Sequence, residues 1–405
     1  MNIAFEKKLD NLREKYRSNY TDRFNIFSVL HKKHDERRLH SRFIASLLNP
    51  NGSHEQGDIF LKEFIDQLGI IDFSLSEIEI FPKEDEKSEW KDIDIYIKSG
   101  RKVLIIENKI FAGDSNKAIA NDHAQAQLLH YFDKVKQHFT LSEDEALADI
   151  RLVYLTLNGK KPSLIEQFNS RHVILHCIDY IQFITEWLHL CIAHLDPCYL
   201  RDTVQQYLQL VTSITNDYKL AMELRALIVD HMDSAFEMYL TGNNPFFKEE
   251  FKHVKWHTIH EFWQELSYRL REQLNCDVTP PHDDIITAVT HRGVKRNLVL
   301  TFGYKGNQVY ISNDSKGFTW GLVYSSTEIL QVDFLDKYDF DIDGTKAWKK
   351  IDCLDDYILL CFEDRRVFNL IDIKLRSSLV EIIISDLAKV LLDEEQLTIC
   401  RPQII

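Results

Sequence analysis

Asp94, Glu107 and Lys109 have side chains and spacing suited to metal-assisted hydrolysis. They lie in Asp92–Ile110, DIDIYIKSGRKVLIIENKI, with twelve residues between the two acids and Gly100 near the middle. If the two apolar runs pair as a hairpin around Gly100, Asp94 and Glu107 come close on one sheet. Glu107 and Lys109 are two apart, so on a strand they project to the same face. Mg²⁺ takes oxygen ligands and commonly only one or two carboxylates, leaving room for water and a phosphate. An ion held there lowers the pKa of a bound water and neutralises charge building on phosphorus. The Lys109 ammonium could orient or help deprotonate that water and stabilise the charged transition state. The backbone carbonyl of Asn108 would add a further metal ligand. The alternative is a cross-strand ion pair on an exposed sheet face.

Acid-x-Lys recurs along the chain, mostly in polar or helical stretches. The serious rival is Asp372/Lys374, which ends the apolar run VFNLIDIK. Only Glu107/Lys109 has an acidic strand before it, a crossover helix after it and another strand beyond.

The elements that must position these residues follow from periodicity. Strands are expected at 76–81, 92–97, 102–106, 151–157 and 172–177. The run KVLII is apolar on both faces, as a central strand should be. Helical patterns cover 3–31, 35–48, 58–68, 116–139, 179–194, 199–214 and 217–240. Thr241-Gly242-Asn243-Asn244-Pro245 is loop-like, so a boundary is expected there, between domains 1–241 and 242–405. The second part is expected to be α+β. Helices are read near 258–273 and 376–392, and strands at 285–290, 297–302, 308–312 and 319–324.

At 405 residues with 44% apolar and 28% charged side chains, the chain has the balance of a folded, multidomain protein. No apolar run reaches the roughly 18–20 residues of a membrane span. The N-terminus, MNIAFEKKLDNLREK, is charged where a signal peptide is apolar, so a cytoplasmic location is expected. The seven cysteines lack any C-x-x-C and are expected to be reduced. The net charge of −14 is unevenly spread. Residues 1–50 carry 11 Lys/Arg against 6 Asp/Glu, and Lys32, Lys33, Arg37, Arg38 and Arg42 fall there. These five are the expected contacts to nucleic-acid phosphates.

Further motifs give the pattern a family likeness. Glu36–Phe43 (ERRLHSRF) is followed by Leu47–Leu61 (LLNPNGSHEQGDIFL), then ENKIFAGD (Glu107–Asp114), then Gln127-Leu128-Leu129-His130-Tyr131. In this order they resemble the PD-(D/E)xK nuclease superfamily, in particular a bacterial branch with an ENKI-A-D signature, over roughly residues 30–190. The resemblance implies a restriction-endonuclease-like α/β fold: a four-stranded mixed sheet flanked by helices, with the C-terminal α+β domain as an accessory of unassigned role. It implies cleavage of DNA with Mg²⁺ or Mn²⁺, in defence against foreign DNA or in repair. Asp94 would be the motif Asp and Glu107-Asn108-Lys109 the (D/E)xK. Glu36 would be an additional metal-site acid, with His40 on the same face, and Gln127 would contact phosphate or water. Tyr131 reads as core. Asp92 stands where such families commonly carry a basic residue, and could substitute for Asp94. The competing class is a nucleic-acid-binding or scaffolding protein that kept the fold without catalysis. A protein trigger or a second copy of the chain could act through the C-terminal half.

Other sets point elsewhere. Gly52-x4-Gly57 lacks the Lys-Ser/Thr of a phosphate loop. Asp339–Gly344 (DFDIDG) begins like a calcium loop but has Lys350 at its twelfth position, so a charged β-turn is expected. His189, Cys191, His194 and Cys198 are expected to be packing residues rather than a zinc set. His54 is read as a loop-shaping residue.

Overall fold

The computed structural model describes residues 3–16, 24–83, 90–110, 117–118, 124–162, 164–274, 276, 278–281, 285–286, 289–290, 297–304, 307–314, 317–323, 337–338, 340–343, 346–355 and 357–392. The chain divides into two compact units. One comprises residues 18–117 and 125–217; the other comprises 1–17, 118–124 and 218–405.

The first unit is built on a mixed sheet of five strands. These are β1 (Ile78–Phe81), β2 (Ile95–Ser99), β3 (Lys102–Lys109), β4 (Ile150–Thr156) and β5 (Leu175–Asp179), lying in that spatial order. β1–β2 and β2–β3 are antiparallel, while β3–β4 and β4–β5 are parallel. The sheet thus has one strand more than the four the family likeness implies. Gly100, at φ +54°, makes the tight β2–β3 turn. β3 is buried along both faces from Val103 to Asn108, as the apolar run KVLII foretold.

Helices flank the sheet: α1 (Arg42–Leu48), α2 (Ile59–Leu68), α3 (Gln127–His138) and α4 (Thr185–Ala193). α1 is preceded by a π-helical turn, Glu36–Ser41, where a plain helix is expected. α3 packs Leu128, Leu129, Tyr131, Phe132 and Val135 against the face of Tyr96, Val103, Ile105, Leu152 and Tyr154. It starts at Gln127, not near residue 116; residues 117–118 and 124–125 are short strands instead.

The expected helices 199–214 and 217–240 are replaced by α5 (Tyr199–Asp230) and α6 (Met232–Thr241). α5 runs 32 residues without a break because Thr215-Asn216-Asp217 contains no Gly or Pro. Thr215 satisfies its hydroxyl on the Thr212 carbonyl, 3.1 Å away. The division between the units falls inside α5, so residues 218–241, expected in the N-terminal domain, belong to the second unit.

That unit holds the N-terminal helix Ile3–Lys15, α7 (Pro245–Leu274) and α8 (Ile373–Leu391). Its six-stranded antiparallel sheet comprises β6 (Val278–Thr279), β7 (Leu298–Tyr304), β8 (Asn307–Asp314), β9 (Gly317–Val323), β10 (Asp341–Asp343) and β11 (Lys346–Asp355). Their spatial order is β10-β11-β9-β8-β7-β6. The α+β expectation holds, with one correction. The described residues of 285–290 are helical instead of extended, and Thr290 bonds back to the Ile286 carbonyl at 2.7 Å. Asp341–Asp343 of the DFDIDG run pair antiparallel with Lys346–Trp348 as β10 and β11; residues 344–345, where the charged β-turn is expected, lie outside the described residues. At Gly321 a Cβ would collide with the Ala347 carbonyl, so β9 and β11 can pair closely only with glycine there.

Candidate active site

The site is assembled at the carboxyl end of β3. In open α/β sheets this is where ligands bind, because loops diverge beyond the parallel strand ends. The β2–β3 ladder ends at Ile95↔Ile106, so Asp94, one residue further, comes to the level of Glu107. Asp94 Oδ2 accepts the backbone N–H of Asn108 at 2.9 Å, which fixes its carboxylate beside β3. Alternation sets the faces. Tyr96, Val103, Ile105, Leu152 and Tyr154 pack under α3. Asp94, Glu107, Lys109 and Thr156 continue that same face.

Glu107 and Lys109 form an ion pair, Oε1 to Nζ, at 2.8 Å, with side chains only 2% and 12% exposed. The exposed ion pair offered as the alternative is therefore not what the chain builds. Burial, then the neighbouring Asp94 carboxylate, pushes the Glu107 carboxyl above the usual range. Burial also raises Asp94, opposed by Lys109 and the Asn108 N–H. Burial disfavours the Lys109 ammonium, but Glu107 and Asp94 outweigh it and hold the charge on. Glu107 Oε2 is buried and has no hydrogen-bond partner. A buried carboxylate oxygen without a donor costs several kcal/mol, roughly, unless something else meets it. A divalent cation is such a group, and the donors here are oxygens, which suits Mg²⁺ or Mn²⁺ over softer metals. Among the described residues no three His, Cys, Asp or Glu side chains gather as a metal cage.

The opposite face of β3 carries Asn108, fully buried, as a clamp. Its Nδ2 donates to Ser41 Oγ at 3.0 Å, and its Oδ1 accepts from Tyr180 OH at 2.9 Å. Glu36 lies on the π-turn, and its Oε1 accepts the N–H of Ile110 at 2.6 Å. The π-turn thereby grips the end of β3 from both sides of Lys109. Such turns are frequent where a helix must aim a side chain at a site. His40 does not join Glu36. It is fully buried, bonded to Tyr207 OH and the Lys33 carbonyl at 2.8 Å each, and burial lowers its pKa to about 4.

Gln127 opens α3, and its Nε2 donates to Tyr131 OH at 2.7 Å. Tyr131 OH in turn donates to the Asp92 carbonyl at 2.7 Å. This fixes the amide; Gln127 Oε1 is buried and unpartnered. Tyr131 is core, as expected. Asp92 is corrected: it lies before β2 at φ +68°, with its side chain 79% exposed and 3.5 Å from Lys134 Nζ. Its carboxylate lies by Lys134 and solvent. Lys32, Lys33, Arg37 and Arg38 are exposed on the segment leading into and through the π-turn, and Arg42 is half-buried. His54 shapes its loop, bonding the Asn49 carbonyl and the Gln56 N–H. Of the residues considered for zinc, His194 pairs with Glu63 at 2.8 Å and Cys191 is core. Residues 111–114 of the ENKIFAGD run lie outside the described residues. Ser41, Tyr180 and Thr156 were not singled out by sequence, because their roles depend on partners distant in the chain.

The comparison with protein families decides the class of this unit. Residues 24–212 match the family model of the PD-(D/E)XK nuclease superfamily. This segment belongs to that superfamily. No curated protein and no solved structure matches the chain. The PD-(D/E)XK match spans every site residue discussed above and stops inside α5, close to the division between the units. The mixed sheet flanked by helices is the restriction-endonuclease-like fold. No helix among the described residues is long and apolar enough to cross a membrane.

Proposed function

We propose that this protein is a Mg²⁺-dependent nuclease that hydrolyses phosphodiester bonds in DNA. The observation that carries the reading is the buried, unpartnered Glu107 carboxylate oxygen, on one sheet face with Asp94 and beside Lys109. Asp94, Glu107 and the Asn108 carbonyl would hold the cation; Glu36, whose carboxylate accepts the Ile110 N–H, would be an acid beside it rather than the third member of a cage. When bound, the ion supplies an activated water and neutralises charge on the phosphate. Lys109, kept charged by its carboxylates, serves as a fixed cation for the transition state rather than as a base. Gln127, whose carbonyl oxygen has no hydrogen-bond partner, would contact phosphate or water. Lys32, Lys33, Arg37, Arg38 and Arg42 take backbone phosphates. Within the superfamily we place the chain in the branch with the ENKI-A-D signature, acting in the cytoplasm on foreign or damaged DNA.

Purified protein incubated with plasmid, linear duplex and single-stranded DNA tests this. Cleavage is expected with Mg²⁺ or Mn²⁺ and none with EDTA. Cleavage that persists in EDTA, or an inert protein under all conditions, refutes the reading.

A further inference from the structure

Among the described residues, Thr156 Oγ1 is, like Glu107 Oε2 and Gln127 Oε1, a buried polar atom near the site with no hydrogen-bond partner. Thr156 is the last residue of β4 and is 5% exposed. In the parallel β3–β4 ladder its Cα is the direct partner of the Lys109 Cα. Neighbouring strands lie about 4.8 Å apart, so the hydroxyl is within easy reach of a lysine side chain on the same face. A hydroxyl left buried and unpaired costs about 1–3 kcal/mol, and valine would fill the same space without that cost. The Lys109 ammonium has three donors, and its observed partner is Glu107 Oε1. If Glu107 turns to a cation, Lys109 needs another acceptor, still buried.

We propose that Thr156 is a positioning residue for Lys109: its hydroxyl accepts from the ammonium once the Glu107 carboxylate engages a divalent cation. The inference rests on the nuclease reading above. Gln127 Oε1 is also unpaired, but its amide is committed through Nε2 to Tyr131 and belongs to α3, not to the strand beside Lys109. Thr156 therefore makes cation binding easier by giving Lys109 somewhere to go, and it keeps the ammonium over the reacting centre.

The test uses the full chain with Thr156→Val and Thr156→Ser. Three quantities are measured: melting temperature in EDTA, Mn²⁺ affinity by calorimetry, and plasmid cleavage resolved into kcat and KM. Thr156→Val should melt in EDTA at or above the parent, because it removes an unpaired hydroxyl. Its Mn²⁺ affinity and kcat should each fall about tenfold, the worth of one hydrogen bond to a charged group, with KM for DNA unchanged. Thr156→Ser should restore both. If Thr156→Val binds Mn²⁺ and cleaves like a working parent, the role of Thr156 is refuted and the nuclease reading stands. If Thr156→Val melts several degrees lower and Thr156→Ser does not restore kcat, the residue is only structural. A parent that binds no Mn²⁺ and cuts no DNA overturns both.

Discussion

The chain carries two acid-x-Lys triplets that end apolar runs, one in each unit, and they do different work. Glu107-Asn108-Lys109 closes a central strand buried on both faces; its acid and its lysine are sealed together with a carboxylate oxygen left over. Asp372-Ile373-Lys374 starts a helix. Asp372 caps α8 by accepting the Lys374 N–H at 2.8 Å, and Lys374 is exposed. The apolar run before it, strand-like by composition, is two short helical turns, Arg365–Phe368 and Asn369–Ile371. The same residue types thus lie buried as a pair at a strand end in one place and cap a helix in the other. A strand end aligns alternate side chains on one face and leaves them beyond the ladder. A helix start spends its acid on the backbone.

The largest contrast should come from the acids. Glu107→Gln removes a charge the cation needs, so Mn²⁺ affinity should drop and cleavage fall by more than about 10²-fold. Asp372→Ala should leave cleavage unchanged and cost only about 1 kcal/mol of stability through the lost cap. Calorimetry, plasmid nicking and urea unfolding on both variants read this; loss of cleavage in Asp372→Ala alone would reverse the assignment.

A smaller effect is shared by the two units. His40 in one and His257 in the other are buried, and burial lowers them to about 4 and about 3. Free histidine titrates near 6.5. Below that pH the unfolded chain takes up a proton that the fold refuses. Stability is therefore full above about pH 6.5 and falls as pH drops towards the folded values, by about 3 kcal/mol for His40. His40→Gln should flatten the acid side of the unfolding profile by one proton. A profile of unchanged slope would mean His40 is not buried neutral.

The smallest expected change concerns binding. The positive excess of residues 1–50 is divided between the units: residues 18–50 hold six Lys/Arg against three Asp/Glu. Arg37→Ala with Arg38→Ala should weaken DNA binding and reduce the slope of log affinity against log salt by about 2. Neutralising Lys7 and Lys8, in the N-terminal helix, should leave the slope as it was. Equal effects from both pairs would contradict a substrate path through the π-turn.

The strands were legible because alternation and continuous apolar runs mark them: IEIF, IYIKS, KVLIIENK and IRLVYLT all read correctly within a few residues. The acid pair was legible because it follows from hairpin arithmetic around Gly100. Long-range clamps were not. Asn108 meets Ser41 and Tyr180 across 67 and 72 positions, and nothing local announces either contact. Alternation cannot place Asp92, because it precedes the start of β2 and sits in a left-handed conformation. β11, KAWKKIDCLD, was missed because its lysines mask the apolar alternation of Ala347 and Ile351. Thr156 was invisible because a missing partner has no sequence signature.

On the proposed function Lys109, and not its counterpart Lys374 in the other unit, acts on the reacting phosphate. Initial rates of plasmid nicking by Lys109→Ala and Lys374→Ala, at saturating Mg²⁺ and equal protein, separate the two. Lys109→Ala should lose roughly 10²–10³-fold, the range for one electrostatic contact made in the transition state, while Lys374→Ala should nick at the parental rate. A Lys109→Ala protein that nicks at the parental rate would make Glu107 and Lys109 a buried structural pair and nothing more.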